Sequence, residues 1–171
     1  MYKEEVELEI RMDGRNAIIT GGSLGLGKAI ATEFARSGAN VALVARRQET
    51  LDEDKAEIEK ENGGKMVAIA ADIRLAADCE RVVAEAEASL GAIDILVNNA
   101  GAAWGASFED YPDAGYDKVM DINARAVFML TRDFLPLLTK DASTENPSRV
   151  INIGSIDGLR VSSTDNFAYG A

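Results

Sequence analysis

The sequence predicts an α/β fold, a doubly wound parallel sheet with helices on both faces in three layers. Three observations predict it. Five short, nearly continuous aliphatic runs recur along the 171 residues, stretches with helical apolar spacing separate them, and a glycine-rich turn joins the first run to the first helical stretch. Strands that alternate with helices of this length require right-handed crossovers, and those build a parallel sheet.

The elements follow in order. Residues 1–12 read as an acidic arm, with four Glu against one Lys in Met1–Ile10. The strand runs are Ala17–Thr20, Val41–Ala45, Met66–Ala70, Ile93–Val97 and Val150–Ile153, aliphatic throughout as expected of strands covered on both faces. Ile30 and Phe34, four apart, mark the first helix. The second spans the charged stretch Glu49–Glu61, whose seven acids against Lys55 and Lys60 read as a solvated face, and Asn62-Gly63-Gly64 ends it. Cys79, Val82, Val83, Ala86 and Leu90 repeat at three and four, marking a third.

Pro112–Lys140 predicts a longer helix of different character. Val119, Ile122, Ala126 and Met129 mark one face, and Val127, Leu130, Phe134 and Leu137 a neighbouring one. A helix apolar over so much of its circumference is expected to need cover beyond its own sheet, from another subunit or a further part of the chain. The remainder reads as a single domain over residues 1–171, without internal repeat or linker.

Composition removes several function classes. Apolar residues make up 47% of the chain, and no run approaches the roughly 18 needed to span a membrane. Twenty-nine acids against 18 bases give a net charge of −11, which disfavours nucleic acid as a partner. Histidine is absent and Cys79 is the single cysteine, so histidine-based catalysis, disulfides and His- or Cys-rich metal sites are not expected. The acidic N-terminus has no basic segment leading into an apolar stretch, so a cytoplasmic location without a secretory signal is expected.

Thr20-Gly21-Gly22-Ser23-Leu24-Gly25-Leu26-Gly27 follows the first strand and opens the first helix. Glycines let the backbone turn sharply and approach a diphosphate, whose charge is met by free amides at the helix N-terminus. The spacing is G-x-x-x-G-x-G rather than the usual G-x-G-x-x-G, and a purely structural turn is the competing reading. Gly22 to Lys28 also imitates a triphosphate-binding G-x-x-x-x-G-K loop, but Ala29 stands where that loop needs a hydroxyl for magnesium.

The second strand ends in Val44-Ala45-Arg46-Arg47, with no carboxylate to hold a ribose 2′-hydroxyl. An arginine there suits a 2′-phosphate, so NADP is favoured over NAD, although two surface arginines opening a helix would look the same. The missing acid also weakens an S-adenosylmethionine methyltransferase reading.

Three more signals appear in order. Asn98-Asn99-Ala100-Gly101 follows the fourth strand, Ser155 stands just past the fifth, and Tyr169 comes 14 residues later. Read singly, Ser155 could cap a turn, Tyr169 could be an amphipathic surface residue, and Asn123 could be satisfied within its helix. Together with the glycine loop, the ordered set resembles the short-chain dehydrogenase/reductase family, whose fold is a Rossmann-type sheet. Ala103-Trp104-Gly105-Ala106, Tyr111-Pro112, Glu145-Asn146-Pro147 and Arg149-Val150-Ile151-Asn152-Ile153-Gly154-Ser155 are similar to the rhamnolipid-type NADPH-dependent 3-oxoacyl reductases within it.

The resemblance implies a role for each position. Gly21, Gly25 and Gly27, with Ser23, Leu24 and Leu26 between them, would cradle the diphosphate. Arg46, with Arg47 beside it, would meet the 2′-phosphate. Asp72 would accept from the adenine amino group, with Ile73 next to it, and Asn99, Ala100 and Gly101 would line the adenosine and ribose side. Asn123 would hold a helix kink and a proton-relay water, Ser155 would orient the substrate oxygen, and Tyr169 would exchange its proton.

The chemistry needs these residue types. Hydride arriving at a carbonyl carbon leaves charge on oxygen, so the site requires a donor that can also release its proton. A serine donates without ionising. A tyrosine titrates near ~10, and an adjacent ammonium brings that value down. The family motif is Tyr-x-x-x-Lys, while this sequence ends at Tyr169-Gly170-Ala171, two residues short of the lysine. The expectation is an N-terminal piece of a longer, homo-oligomeric reductase, inactive alone, with the C-terminal part of the fold missing and Val150–Ile153 left at a sheet edge. The alternative is a non-catalytic dinucleotide-binding sensor. The substrate would be a small carbonyl or alcohol, and Trp104 and Phe108 in Ala102–Asp110 would suit an apolar acyl chain or steroid, or belong to the core.

Overall fold

A computed structural model describes residues 10–60, 64–160 and 164–171. The strands are β1 (Asn16–Thr20), β2 (Asn40–Ala45), β3 (Met66–Ala70), β4 (Ile95–Asn98) and β5 (Arg149–Asn152). They form one parallel sheet in the order β3-β2-β1-β4-β5, the doubly wound arrangement that the alternating pattern predicts. The helices are α1 (Gly25–Arg36), α2 (Gln48–Glu59), α3 (Ala76–Leu90), α4 (Asp113–Met120), α5 (Ala126–Thr139) and the short α6 (Phe167–Gly170).

Register divides the core into two. Ile18 lies beside Ala42 and Leu96, and Ile19 beside Leu43 and Val97. Because successive side chains point to opposite faces, Ile18, Ala42, Val44 and Leu96 meet Cys79, Val82 and Ala86 of α3 and Leu130 and Phe134 of α5. Ile19, Val41, Leu43 and Val97 meet Ala31 and Ala35 of α1 and Leu51 and Ile58 of α2. Strands feeding both clusters must be aliphatic throughout, which is why their runs show no polar alternation. Burial of one such side chain stabilises by about 2 kcal/mol.

The structure corrects three expectations. β4 begins at Ile95 rather than Ile93, because the Ile93 amide donates to the Leu137 carbonyl (3.1 Å) and the Asp94 amide to Asn16 (2.9 Å). The Asp94 carboxylate meanwhile accepts from Arg15 Nη1 (2.7 Å) and the Asn16 amide (2.8 Å), fixing the turn into the strand.

The long helix is two α segments joined by a π turn at Asp121–Arg125. The extra residue per turn rotates the apolar face between them. Val119, Ala126, Met129, Leu130, Phe134 and Leu137 are buried within this chain, and Ile122 and Val127 are half-buried. Phe128 and Leu135, 67% and 54% exposed, are the apolar residues of α5 left in solvent.

The third correction concerns the charged stretch. Asp54 is buried, with its carboxylate 2.6 Å from Lys28 Nζ, while its acidic neighbours Asp52, Glu53, Glu57 and Glu59 are exposed. β5 sits at the sheet edge as expected, all four residues exposed. Most of the acidic arm, and the Asn62-Gly63 turn, lie outside the described residues.

Candidate active site

The carboxyl ends of the parallel strands open into a cleft of about 640 Å³. Thr20, the last residue of β1, stitches its floor. Its hydroxyl oxygen accepts from the amides of Asn99 (3.0 Å) and Ala100 (3.1 Å) and donates to the Val97 carbonyl (3.3 Å). Asn99 Nδ2 returns a bond to the Thr20 carbonyl at 3.0 Å. The turn after β1 and the loop after β4 are thereby held edge to edge.

Two glycines allow that approach. Gly21 has φ +66°, and a Cβ there would stand 3.0 Å from the Ala100 Cα. A Cβ at Gly27 would fall 2.2 Å from the Gly21 carbonyl oxygen, so α1 can start against its own loop only without a side chain. Gly21, Ser23 and Leu24 line the cleft. Gly25 and Leu26 form the first turn of α1 beside it, and Gly27 is buried beneath. No side chain caps this helix end, leaving its first amides to a partner from outside the helix.

Arg46 and Arg47 follow β2, line the cleft and are exposed; neither pairs with a carboxylate among the described residues. No acid stands at the end of this strand. Asp72 and Ile73, after the neighbouring β3, line the same cleft, as do Asn99, Ala100 and Gly101.

Asp72 has a partner that the sequence reading misses. Arg74 grips its carboxylate through Nε (2.9 and 3.1 Å), a close contact from Nη2, and its own amide (3.2 Å). That guanidinium holds the Asp72 carboxyl below its ordinary range, with the charge of Arg46 acting in the same direction. The signal available was Asp72-Ile73-Arg74 itself, a carboxylate and a base two apart on a turn. Val44, Ala45, Ala71 and Ile122 also line the cleft and were missed, being apolar residues without a chemical signature.

Asn123 stands in the π turn. Its Oδ1 accepts from the Ala102 amide and its Nδ2 donates to the Ala102 carbonyl, both at 2.9 Å. It therefore grips the loop after β4 and interrupts the regular helix at the same point. Ser155 precedes a single 3₁₀ turn, Ile156–Gly158, and its Oγ accepts from the Asp157 amide at 3.2 Å. Tyr169 lies half-buried in α6, whose turn packs on the Ser155 turn. The two hydroxyls do not hydrogen-bond each other among the described residues.

The aromatic loop joins the same region. Phe108 and Tyr111 meet the Phe167 ring edge-on, at 5.2 and 6.0 Å between centroids. Trp104, 37% exposed, packs on Gly115 and under Lys118, while Phe108 is 73% exposed beyond its contact with Phe167. No helix of the described residues is long and apolar enough to cross a membrane.

Comparison with known proteins agrees with this architecture. The sequence profile of the short chain dehydrogenase family matches residues 15–171. The rhamnolipids biosynthesis 3-oxoacyl-[acyl-carrier-protein] reductase of Pseudomonas aeruginosa is 44% identical over 158 residues, covering 92% of this chain and 60% of that protein. Among solved structures, the Pseudomonas aeruginosa RhlG/NADP active-site complex superposes with a TM-score of 0.89 at 40% identity, over 95% of this chain and 62% of that one. L-sorbose reductase from Gluconobacter frateurii, complexed with NADPH and L-sorbose, gives 0.87 at 27% identity, over 95% and 60%. The chain thus spans about 60% of the length of the first of these relatives. With the profile running from the loop before β1 through Tyr169, this chain belongs to the short-chain dehydrogenase family.

Proposed function

We propose that the protein carrying this chain is an NADP(H)-dependent reductase that converts a carbonyl, with a 3-oxoacyl thioester as the favoured substrate, to an alcohol. The observation that carries the cofactor reading is the pair Arg46 and Arg47, exposed at the cleft wall with no carboxylate at the end of β2. Guanidinium groups match a 2′-phosphate, and an acid there would repel it. The donor set fits the rest of a dinucleotide. The uncapped start of α1 offers amides to a diphosphate, Asp72 is held ionised as an acceptor for an adenine amino group, and Asn99–Gly101 line the ribose side.

A nicotinamide held in this cleft would supply the hydride for the carbonyl carbon. Ser155 donates a hydrogen bond to the carbonyl oxygen and fixes its direction. Tyr169 Oη gives that oxygen a proton, its O–H bond breaking as the new one forms, and the phenolate is reprotonated from solvent. Asn123 holds the loop after β4 and, through it, the floor of the cleft. The exposed Phe108 ring, edge-on to Phe167 of the helix that carries Tyr169, offers an apolar surface to an acyl chain, and similarity to the 3-oxoacyl reductase supports that substrate class.

The test follows NADPH oxidation by the complete polypeptide that carries these residues, with a 3-oxoacyl thioester as substrate. Tyr169→Phe is expected to reduce turnover at least about a hundredfold. Arg46→Ala should weaken NADPH while sparing NADH. Equal rates for Tyr169→Phe and the parent protein would overturn the proposed proton transfer.

A further inference from the structure

Ser155 and Tyr169 stand on different turns, and a single residue is bonded towards both. The Asp157 amide donates to Ser155 Oγ at 3.2 Å, and its Oδ2 accepts from Asn166 Nδ2, also at 3.2 Å. Asn166 immediately precedes α6, and its carbonyl accepts from the amides of Tyr169 (2.9 Å) and Gly170 (3.1 Å). A continuous chain of bonds therefore runs from the serine hydroxyl through Asp157 and Asn166 to the turn that carries the tyrosine. The turns also touch: a Cβ on Gly170 would lie 3.4 Å from the Asp157 carbonyl oxygen.

Asn166 Oδ1 is buried and has no hydrogen-bond partner among the described residues. Among the described residues its carboxamide is oriented by the bond that Nδ2 gives to Asp157.

We infer that Asp157, acting through Asn166, is a positioning residue that sets the separation and direction of the Ser155 and Tyr169 hydroxyls. The inference rests on the roles proposed above for those two residues. An amide that donates to Ser155 Oγ occupies the acceptor side of the hydroxyl and leaves its O–H for a substrate oxygen. The carboxylate–carboxamide bond fixes the start of α6, a helix of four residues too short to hold its own direction. On the far side the same turn is held by the Ala106 amide on the Asp165 carbonyl (3.0 Å) and by Phe108 against Phe167. Loss of the bridge therefore loosens the Tyr169 turn without releasing it.

The test compares Asp157→Ala, Asp157→Asn and Asn166→Ala in the complete polypeptide, with Ser155→Ala and Tyr169→Phe alongside. Asp157→Ala and Asn166→Ala are expected to lower kcat at least about tenfold, because a displacement of this kind misaligns reacting groups. KM for the carbonyl substrate and Kd for NADPH should stay within about twofold, since the cleft walls are untouched. Asp157→Asn keeps an oxygen that can accept from Asn166, so it should return kcat to within about threefold of the parent. Should Asp157→Ala fail to fold, Asn166→Ala removes the same bond and carries the test. Parental kcat in both alanine variants, with Ser155→Ala and Tyr169→Phe inactive, overturns the positioning role and leaves the proposed function standing. Parental kcat in Ser155→Ala and Tyr169→Phe overturns the proposed function itself.

Discussion

Cys79 shows how much one side chain can report about the core. It is wholly buried in α3 and donates through Sγ to the Ile73 carbonyl at 3.2 Å. Burial, with the charges of Asp133 and Asp78 adding to it, pushes its thiol from the ordinary 9.0 up to about 11. A group whose folded value is raised binds its proton more tightly when folded, so its contribution is complete below pH 9 and is lost as pH climbs towards 11. A rise from 9.0 to about 11 corresponds to roughly 2–3 kcal/mol across that window. Urea denaturation at pH 8 and pH 11 should show stability falling further in the parent protein than in Cys79→Ala; equal losses would mean the thiol titrates normally. The sequence reading leaves this cysteine only a negative role, no disulfide and no zinc. Its position in the Cys79-Val82-Val83-Ala86-Leu90 stripe already marks it as a core residue, since a free cysteine packs as a small hydrophobe.

At the scale of elements, a misleading motif turns out to be a strut. Lys28 completes the imitation of a triphosphate loop, yet its Nζ reaches away from the cleft to Asp54 (2.6 Å) and Glu57 (2.8 Å) on α2. Hydrogen bonds to Asp54 first and Glu57 second raise the Lys28 value above the ordinary lysine range. The pair ties α1, which begins in the phosphate loop, to α2, which begins at the two arginines. Lys28→Met should therefore leave a nearly buried carboxylate uncompensated and cost about 2 kcal/mol, below the range for a fully buried pair because Lys28 is partly solvated. Asp54→Asn in the same background should recover much of the loss. Thermal denaturation of the two single variants and the double reads this coupling, and strict additivity would show that no strut exists. The glycine loop was legible because its evidence is local, a strand, a turn and a helix within about ten residues. The strut was not, because its acid lies 26 residues on among seven similar acids, and only burial singles out Asp54. The Arg74 grip on Asp72 and the Asn123 grip on Ala102 were illegible for a related reason: each is set by side-chain direction on a turn, which periodicity does not encode.

At the scale of the whole molecule, the parallel doubly wound sheet was legible and the course of the long helix was not. Parallel pairing follows from alternation and the place where the winding reverses from the Rossmann-type fold that the resemblance implies, whereas the solvated residues of the long helix depend on a π turn that rotates α5 against α4. The edge is where both meet. Ile151 pairs with Val97 and so faces the side of the sheet that α1 and α2 cover, but those helices lie over β1, β2 and β3 and do not reach β5. Ile151 is accordingly 39% exposed, on a strand whose outer backbone groups have no neighbour among the described residues. Such an edge templates pairing with a second copy, and a charge placed on it suppresses that pairing. The 171-residue chain prepared alone is therefore expected to self-associate with increasing concentration. Ile151→Lys should reduce that association while shifting the thermal midpoint little, since the position is already solvated and substitutions of this kind change stability by about 0.5 kcal/mol or less. Light scattering over a concentration series measures the first effect and a thermal melt the second. Unchanged scattering in Ile151→Lys would place the contact elsewhere, with the exposed Phe128 and Leu135 on α5 as the next surface to charge.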